Sequence, residues 1–140
     1  MNQVSELLKN THVRLCDEEF FIVGCEPGER QIAVGIAGED GVVSLVFLPR
    51  EVTIILTARL WQRVGGRFNT ARIETGYRLI TLDISLPWDV VGYLARVTEA
   101  LAAGGVSVGV ISSYASDHLL VGEEVLPAAL RILKNLGCRV

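Results

Sequence analysis

Gly92 and Asp117 have residue types and positions that suit them to holding the two ends of a small zwitterion. Asp89 can cap a helix that runs to about Ala103, which puts Gly92 in its first turn, where backbone N–H groups have no helical partner and can receive a carboxylate. A side chain at Gly92 would stand in the way. Asp117 ends a serine-rich segment, residues 112–117, called the serine turn below, and its carboxylate can accept bonds from an ammonium group. The alternative is that Gly92 permits close helix packing and Asp117 only shapes the turn.

These residues lie in the most regularly patterned stretch of the chain, residues 82–121, which predicts the order βαββ. Pro87 ends the first strand, the pair Gly104-Gly105 ends the helix, and the serine turn separates the last two strands. The apolar positions alternate in the first strand (Leu82, Ile84, Leu86), follow one face of the helix (Val90, Leu94, Val97, Leu101) and alternate again in the second strand (Val106, Val108, Val110).

The same residues resemble the ACT domains of small regulatory proteins, in particular a subgroup of small tandem ACT-like proteins that includes the cytosolic arginine sensor of eukaryotes. The matching positions are Gly92, residues 105–108 (GVSV) and residues 112–117 (SSYASD). The resemblance implies an α+β, ferredoxin-like βαββαβ fold and a regulatory role in binding a small molecule, most often an amino acid. Ala115, His118 and the pair Trp88-Asp89 depart from the subgroup pattern and leave the identity of the ligand open.

The resemblance also implies a ligand-binding set on several elements. The backbones around Gly92 would line one side of a pocket, and the second strand with the serine turn would line the other. Ser44 matches a first-lobe serine that lies beside the ligand in the subgroup. Each serine alone is equally well explained as a local cap. The expected set is Ser44, Val91, Gly92, Tyr93, Leu94, Ile111, Ser112, Ser113 and Asp117.

The pattern and the resemblance together divide the chain into two ACT-like lobes, an N-terminal lobe over residues 1–70 and a C-terminal ACT domain over residues 71–140. The second lobe is expected to end with a helix from about Glu123 to Gly137 and a strand at residues 138–140. In the first lobe, four successive β-branched residues favour a strand over a helix at residues 51–56. The other first-lobe expectations are a short helix at residues 5–9, strand pieces at 13–15 and 20–23 around a charged turn at 17–19, a hairpin of strands 32–36 and 42–47, and a polar connector at 65–76.

Composition and charge exclude several classes of partner. The net charge is −3, and the 13 Lys and Arg residues form no run, so a nucleic-acid partner is not expected. The most apolar window, residues 42–60, is broken by Pro49, Arg50, Glu51 and Arg59, so no membrane span is expected, and the N-terminus lacks a secretory pattern. We therefore expect a cytoplasmic protein. Its mean hydropathy of +0.41 favours a homo-oligomer, in the first place a dimer.

No motif in the chain requires catalysis, a cofactor or a metal. Cys16, Cys25 and Cys138 are odd in number and widely spaced, which predicts buried free thiols. His12 and His118 lack metal-ligand spacing, and Asp117 and His118 are adjacent in an extended segment, so their side chains point to opposite sides and do not form a catalytic dyad. The sequence predicts a non-enzymatic small-molecule sensor. The alternative function is an oligomerisation or protein-interaction module of the same fold that binds no ligand.

Overall fold

The fold is built on two long strands, β1 (His12–Cys25) and β4 (Arg72–Asp83). The computed structural model describes residues 3–140. They divide into two units: the Gly92 unit, which comprises the residues up to Asp17 and Arg78–Val140, and the Glu29 unit, which comprises Glu18–Tyr77. Each long strand contributes one part of its length to each unit. The predicted division into two lobes at residue 70 stays a prediction. The first two residues of the predicted N-terminal lobe lie outside the described part of the chain.

The remaining helices and strands of residues 3–140 are shorter. They are α1 (Gln3–Lys9), α2 (Arg30–Ile36), β2 (Val42–Leu48), β3 (Glu51–Thr57), α3 (Ala58–Val64), α4 (Tyr93–Ala103), β5 (Gly109–Ser112), β6 (Asp117–Gly122) and α5 (Leu126–Asn135). Short 3₁₀ turns precede α2 and α5 and follow α3. No helix within the described residues is long and apolar enough to cross a membrane.

Each unit arranges its strands in the same order. The order is β2-β3-β1-β4 in the Glu29 unit and β5-β6-β4-β1 in the Gly92 unit. The pairs β1–β3, β2–β3 and β5–β6 are antiparallel. A strand-helix-strand-strand-helix succession with this strand order is the ferredoxin-like arrangement. The predicted α+β, ferredoxin-like fold is confirmed.

The fourth strand position of the Gly92 unit is not filled by the C-terminus. β1 takes that position beside β4, whereas the C-terminal segment makes only one isolated parallel bridge, between Arg139 and His12. Two backbone bonds hold this bridge, from Val13 N–H to the Arg139 carbonyl and from Arg139 N–H to the Thr11 carbonyl, each 2.8 Å long. The predicted strand at residues 138–140 is therefore reduced to a single bridge.

The Gly92 unit buries one face of each of its two longer helices. α4 buries Tyr93, Val97 and Leu101, and α5 buries Leu126, Ala129 and Leu133. The core of this unit is completed by apolar side chains of α1, the strands and the connecting segments, namely Leu8, Ile80, Leu82, Val106, Leu119, Val121 and Cys138. Leu94, which the pattern placed on the buried face of the helix, is only half-buried, and Tyr93 takes the core position instead.

The charged residues at 17–19 do not break β1, so the predicted turn there is wrong. Glu18 pairs with Arg59 at 2.7 Å, and the Glu19 carboxylate accepts a hydrogen bond from Gly76 N–H at 2.8 Å. Because these carboxylates have partners beside an extended backbone, the strand continues through them. Gly76 itself lies in β4, so the predicted polar connector is strand from Arg72 onwards.

The predicted strand at residues 32–36 is also wrong, because this segment belongs to helix α2. Ala33 and Ile36, three residues apart, are its buried positions. The predicted hairpin with β2 is consequently absent, and β2 pairs with β3 instead. The predicted strand at 51–56 is confirmed as β3. It ends at Thr57, whose hydroxyl accepts a hydrogen bond from Leu60 N–H at 3.1 Å and caps α3.

A buried carboxylate, Glu29, fixes the entry to α2. Its side chain accepts bonds from Asn69 N–H (2.7 Å), Thr70 N–H (2.8 Å) and the Thr70 hydroxyl, and that hydroxyl accepts in turn from Glu26 N–H at 3.0 Å. The hydroxyl bond from Thr70 first, and the Asn69 bond next, lower the pKa of Glu29 from its ordinary value of 4.5. The ionised form is therefore the one that stabilises this unit.

We predict that Glu29→Gln destabilises the protein and flattens its acid unfolding profile. A folded-state pKa below the unfolded value means that the carboxylate contributes stability above about pH 4.5, and that this contribution is lost as the pH falls through the lower folded value. Urea unfolding between pH 7 and pH 3 measures it. Glu39→Gln, in which an exposed partner of Arg63 is changed, is the control. Parallel pH profiles of wild type and Glu29→Gln would contradict the assignment.

Candidate functional site

A cavity of about 190 Å³ lies in the Gly92 unit between the start of α4 and the serine turn. It brings together six members of the expected set: Gly92, Tyr93, Leu94, Ser112, Ser113 and Asp117. The other lining residues were not predicted and are Leu86, Pro87, Trp88, Val90, Ala95, Tyr114, Ala115 and Ser116. The volume is below the usual range for drug-sized ligands and suits a single small molecule.

The helix on one side of this cavity begins later than the sequence suggested. Tyr93 is the first helical residue and Gly92 precedes it, so Asp89 does not cap the helix. The first backbone bond of the helix runs from Arg96 N–H to the Gly92 carbonyl at 3.0 Å, so the N–H groups of residues 93–95 come before any i→i−4 bond. The first turn carries no acidic residue and no side-chain cap. These N–H groups can receive an anion.

Gly92 is required here by its backbone conformation. Its φ is 94° and its ψ −3°, a region that residues with a Cβ rarely adopt. A Cβ built at this position would meet only Val4, at 3.9 Å, which is ordinary van der Waals contact. Close helix packing is therefore not the reason for the glycine. The turn at Gly92 sets the start of α4 at Tyr93, and Gly92, Tyr93, Leu94 and Ala95 all line the cavity.

The carboxylate of Asp117 is held at the opposite wall by the serine turn. The Ser112 hydroxyl donates to Asp117 Oδ1 at 2.7 Å. The turn is closed by two bonds from Ser113, its N–H and its hydroxyl, to the Ser116 carbonyl at 2.9 and 3.0 Å. Asp117 is half-buried at the first position of β6. A carboxylate fixed in this way is pre-organised to accept bonds from a cationic group.

His118 is not a partner of Asp117. The Ser113 hydroxyl spends its hydrogen on the Ser116 carbonyl, so it accepts from His118 Nε2–H at 2.8 Å. The other ring nitrogen, Nδ1, is 2.9 Å from the Thr81 hydroxyl and hydrogen-bonded to it. The ring is therefore engaged with the turn and with β4.

Three hydrogen bonds join the segment that follows β4 to the serine turn. Leu86 N–H donates to the Ala115 carbonyl at 2.9 Å, and the Ser116 hydroxyl donates to the Ile84 carbonyl at 2.8 Å. The Trp88 indole N–H donates to the Tyr114 carbonyl at 2.8 Å. Residues 84–86, predicted as strand, lie outside β4 and follow the turn instead. The segment that leads to α4 is thus fixed to the serine turn.

Tyr93 anchors the start of α4 in the core. Its side chain is 2% exposed, and its hydroxyl is 2.8 Å from Thr11 Oγ1. Because the Thr11 hydroxyl donates to the Leu7 carbonyl at 2.7 Å, Tyr93 is the donor to Thr11. Burial raises the pKa of Tyr93 from 10.0 to about 12, with a smaller opposing effect of the Thr11 bond. Only the backbone of Tyr93 is left to contact a ligand in the cavity.

Three expected residues do not line the cavity. Val91 is 86% exposed, and Ile111 pairs with His118 in the β5–β6 ladder. Ser44 lies in β2 of the Glu29 unit, opposite Ile55. Its role stays a prediction. The pair Trp88-Asp89 was visible in the sequence as an unusual helix entry, which was the available signal for the lining segment that was missed.

A second cavity, of about 170 Å³, lies in the Glu29 unit beside the start of α3. Its two arginines are already paired, Arg59 with Glu18 at 2.7 Å and Arg63 with Glu39 at 3.7 Å. It therefore offers no uncompensated cation for an anionic ligand. Within residues 3–140, no group of three or more His, Cys, Asp or Glu residues is placed to hold a metal ion.

Comparisons with known proteins agree with this geometry. Residues 72–135 match the family model described as ACT domain. A search of curated proteins finds no match.

Several solved structures share the fold. A structural-genomics protein from Agobacterium tumefaciens is 21% identical with a TM-score of 0.73, over 92% of this chain and 90% of that one. A Vibrio cholerae protein of unknown function, described as a possible transport protein, is 22% identical with a TM-score of 0.71, over 96% and 95% of the two chains. The ligand-free regulatory subunit of aspartate kinase from Thermus thermophilus is 15% identical with a TM-score of 0.68, over 89% and 95%. The predicted likeness to the arginine-sensor subgroup stays a prediction.

We predict that Tyr93→Phe changes the alkaline stability profile. At pH 8 the variant loses about 1 kcal/mol with its hydrogen bond. The raised folded-state pKa means that the Tyr93 contribution is complete below pH 10.0 and is lost as the pH rises towards about 12. The wild type then loses about 3 kcal/mol that the variant does not lose, so their stabilities converge and cross. Urea unfolding between pH 8 and pH 12 measures this, and a constant difference would contradict it.

Proposed function

We propose that the protein is a non-catalytic regulatory sensor that binds a free amino acid in the cavity between the α4 start and the serine turn. The observation that carries this proposal is that Asp117 and residues 93–95, whose N–H groups precede the first helical hydrogen bond, line one small cavity. An amino acid carries a carboxylate and an ammonium group on adjacent atoms. The two sides of the cavity offer one partner for each.

The two binding contributions have different physical origins. At the helix start, N–H groups and the positive end of the helix dipole favour the ligand carboxylate without any lysine or arginine. At the serine turn, Asp117 supplies a charge-assisted hydrogen bond to the ammonium group. Because hydrogen bonds already hold the serine turn and the segment that leads to α4, binding has to order few further groups.

The comparisons support a regulatory role. The ACT domain match covers residues 72–135 and so includes every residue that lines the cavity. One solved structure of the same fold is the regulatory subunit of an aspartate kinase. By analogy with it, ligand binding here would alter a partner protein rather than lead to chemistry on the ligand. We propose that this occurs in the cytoplasm and in a dimer of this chain.

A second candidate function is a protein-interaction module that binds no small ligand. It is favoured by three large exposed side chains, Trp88 and Tyr114 in the cavity lining and Val91 just before Gly92 in the chain, which are 74%, 88% and 86% exposed. In that case a protein surface would cover these side chains, and the cavity would have no ligand of its own.

A thermal-shift panel of the twenty amino acids at millimolar concentration distinguishes the two functions. We expect at least one amino acid to raise the Tm of the wild type, since a ligand at a hundredfold excess over its Kd adds about 2.7 kcal/mol. Asp117→Asn keeps the acceptor for Ser112 but removes the charge, so we expect it to bind the amino acid at least about tenfold more weakly than the wild type.

Glu99→Gln is the matched control, because Glu99 is an exposed carboxylate of α4 that pairs with Arg96 and does not line the cavity. It should respond like the wild type. A panel in which no amino acid shifts the wild type would refute the sensor function and leave the interaction module. An undiminished response of Asp117→Asn would refute the role of that carboxylate.

A further inference from the structure

We infer that the amino acid bound in this cavity has an uncharged, apolar side chain, and that Leu94 forms part of the surface that selects it. The inference rests on the proposed function and adds the class of ligand. It comes from the charge, the hydrogen bonds and the shape of the residues around the cavity.

The described residues that line the cavity carry little charge. Asp117 is the one Asp, Glu, Lys or Arg among the described residues that line the cavity. If the ammonium group of the ligand occupies it, a second cation, on a lysine or arginine side chain, has no counter-charge. An acidic side chain has no cation to meet, because Arg96 pairs with Glu99 at 3.8 Å and lies outside the lining. A charged side chain would be desolvated without compensation.

The serine hydroxyl groups of the lining are already committed. Ser112 donates to Asp117, Ser113 to the Ser116 carbonyl, and Ser116 to the Ile84 carbonyl. The indole N–H of Trp88 is likewise donated, to the Tyr114 carbonyl. These four donors therefore already have acceptors. A ligand side chain that accepted a hydrogen bond from one of them would have to break a bond that holds the site together.

The remaining wall is apolar. Leu86, Val90 and Leu94 are half-buried and line the cavity together with Pro87 and Ala115. Leu86 and Val90 also pack against the core of the unit, whereas Leu94 is not part of that packing. Leu94 is therefore a wall residue that can be changed without opening the core. With about 190 Å³ in all, the cavity suits an aliphatic side chain beside the zwitterion.

Trp88 gives a direct readout of binding. It is one of two tryptophans in the chain, and the other, Trp61, stacks on Phe68 in the Glu29 unit. In a Trp61→Phe background, the fluorescence of the full-length protein reports the cavity alone. We would titrate this protein with leucine, valine, aspartate and arginine.

We expect leucine or valine to bind at least about tenfold more tightly than aspartate and arginine, since each apolar group transferred to the wall favours binding and each charged group opposes it. Tighter binding of aspartate or arginine would overturn the apolar class while leaving the sensor function intact. If none of the four binds and the twenty-member panel is also negative, the sensor function itself fails.

Two changes at Leu94 test the selecting wall. Leu94→Ala should weaken leucine binding about tenfold and leave the weak aspartate binding unchanged. Leu94→Arg should weaken leucine further and strengthen aspartate, because it supplies the missing cation. Ala102→Arg places the same cation on an exposed position of α4 outside the cavity and is the matched control. An unchanged preference in both Leu94 variants, with unchanged thermal stability, would refute the role of Leu94.

Discussion

Gly92 adopts a φ of 94°, and the placement of α4 depends on this one backbone conformation. Because the chain turns there, the helix begins at Tyr93, and the N–H groups of residues 93–95, which line the cavity, precede its first helical bond. The same turn sends the Tyr93 side chain into the core, where its hydroxyl donates to Thr11. The first helical residue thus has a backbone that lines the cavity and a side chain that is buried in the core. A helix that began at Asp89 would place neither the first N–H groups nor this side chain where they are.

The opposite wall is rigid for a complementary reason. The serine turn uses its own hydroxyls to close on itself and to reach the segment after β4. Polar residues that look available for a ligand are therefore largely structural, and Asp117 is the member that keeps a charge for recognition. This division explains how so polar a turn can border a site whose remaining surface is apolar. It also separates fold-forming serines from a ligand-binding carboxylate.

Much of the second half of the chain could be predicted from its sequence, because its elements have clear periods and clear stops. The helix ending at Gly104-Gly105 and the serine turn come from such local signals, whereas the pairing of Gly92 with Asp117 was inferred from their chemistry and from the resemblance to ACT domains. The first half was predicted less well. Residues 32–36 read as a strand by their β-branched residues, but the three-residue spacing of Ala33 and Ile36 and the Glu29 network decide for a helix. Partners distant in sequence, such as Asn69 and Thr70 for Glu29, leave no local pattern.

The lining segment at residues 86–90 was missed for the same reason. It has no period, and its conformation is set by bonds to Ala115 and Tyr114, almost thirty residues away. The start of α4 was misplaced because Asp89 is a good capping residue by type, whereas the positive φ of Gly92 decides the boundary. The type of a residue such as Asp89 favours a helix cap, but hydrogen bonds to residues distant in sequence determine whether the helix begins there.

The most direct test of the account is a ¹H–¹⁵N correlation spectrum of the protein titrated with leucine. If the α4 start and the serine turn hold the two ends of the ligand, the largest shifts will fall on the amides of Tyr93, Leu94 and Ala95 and on Asp117. Amides of the Glu29 unit should change little. Saturable shifts confined to other residues, with those four unmoved, would contradict the site.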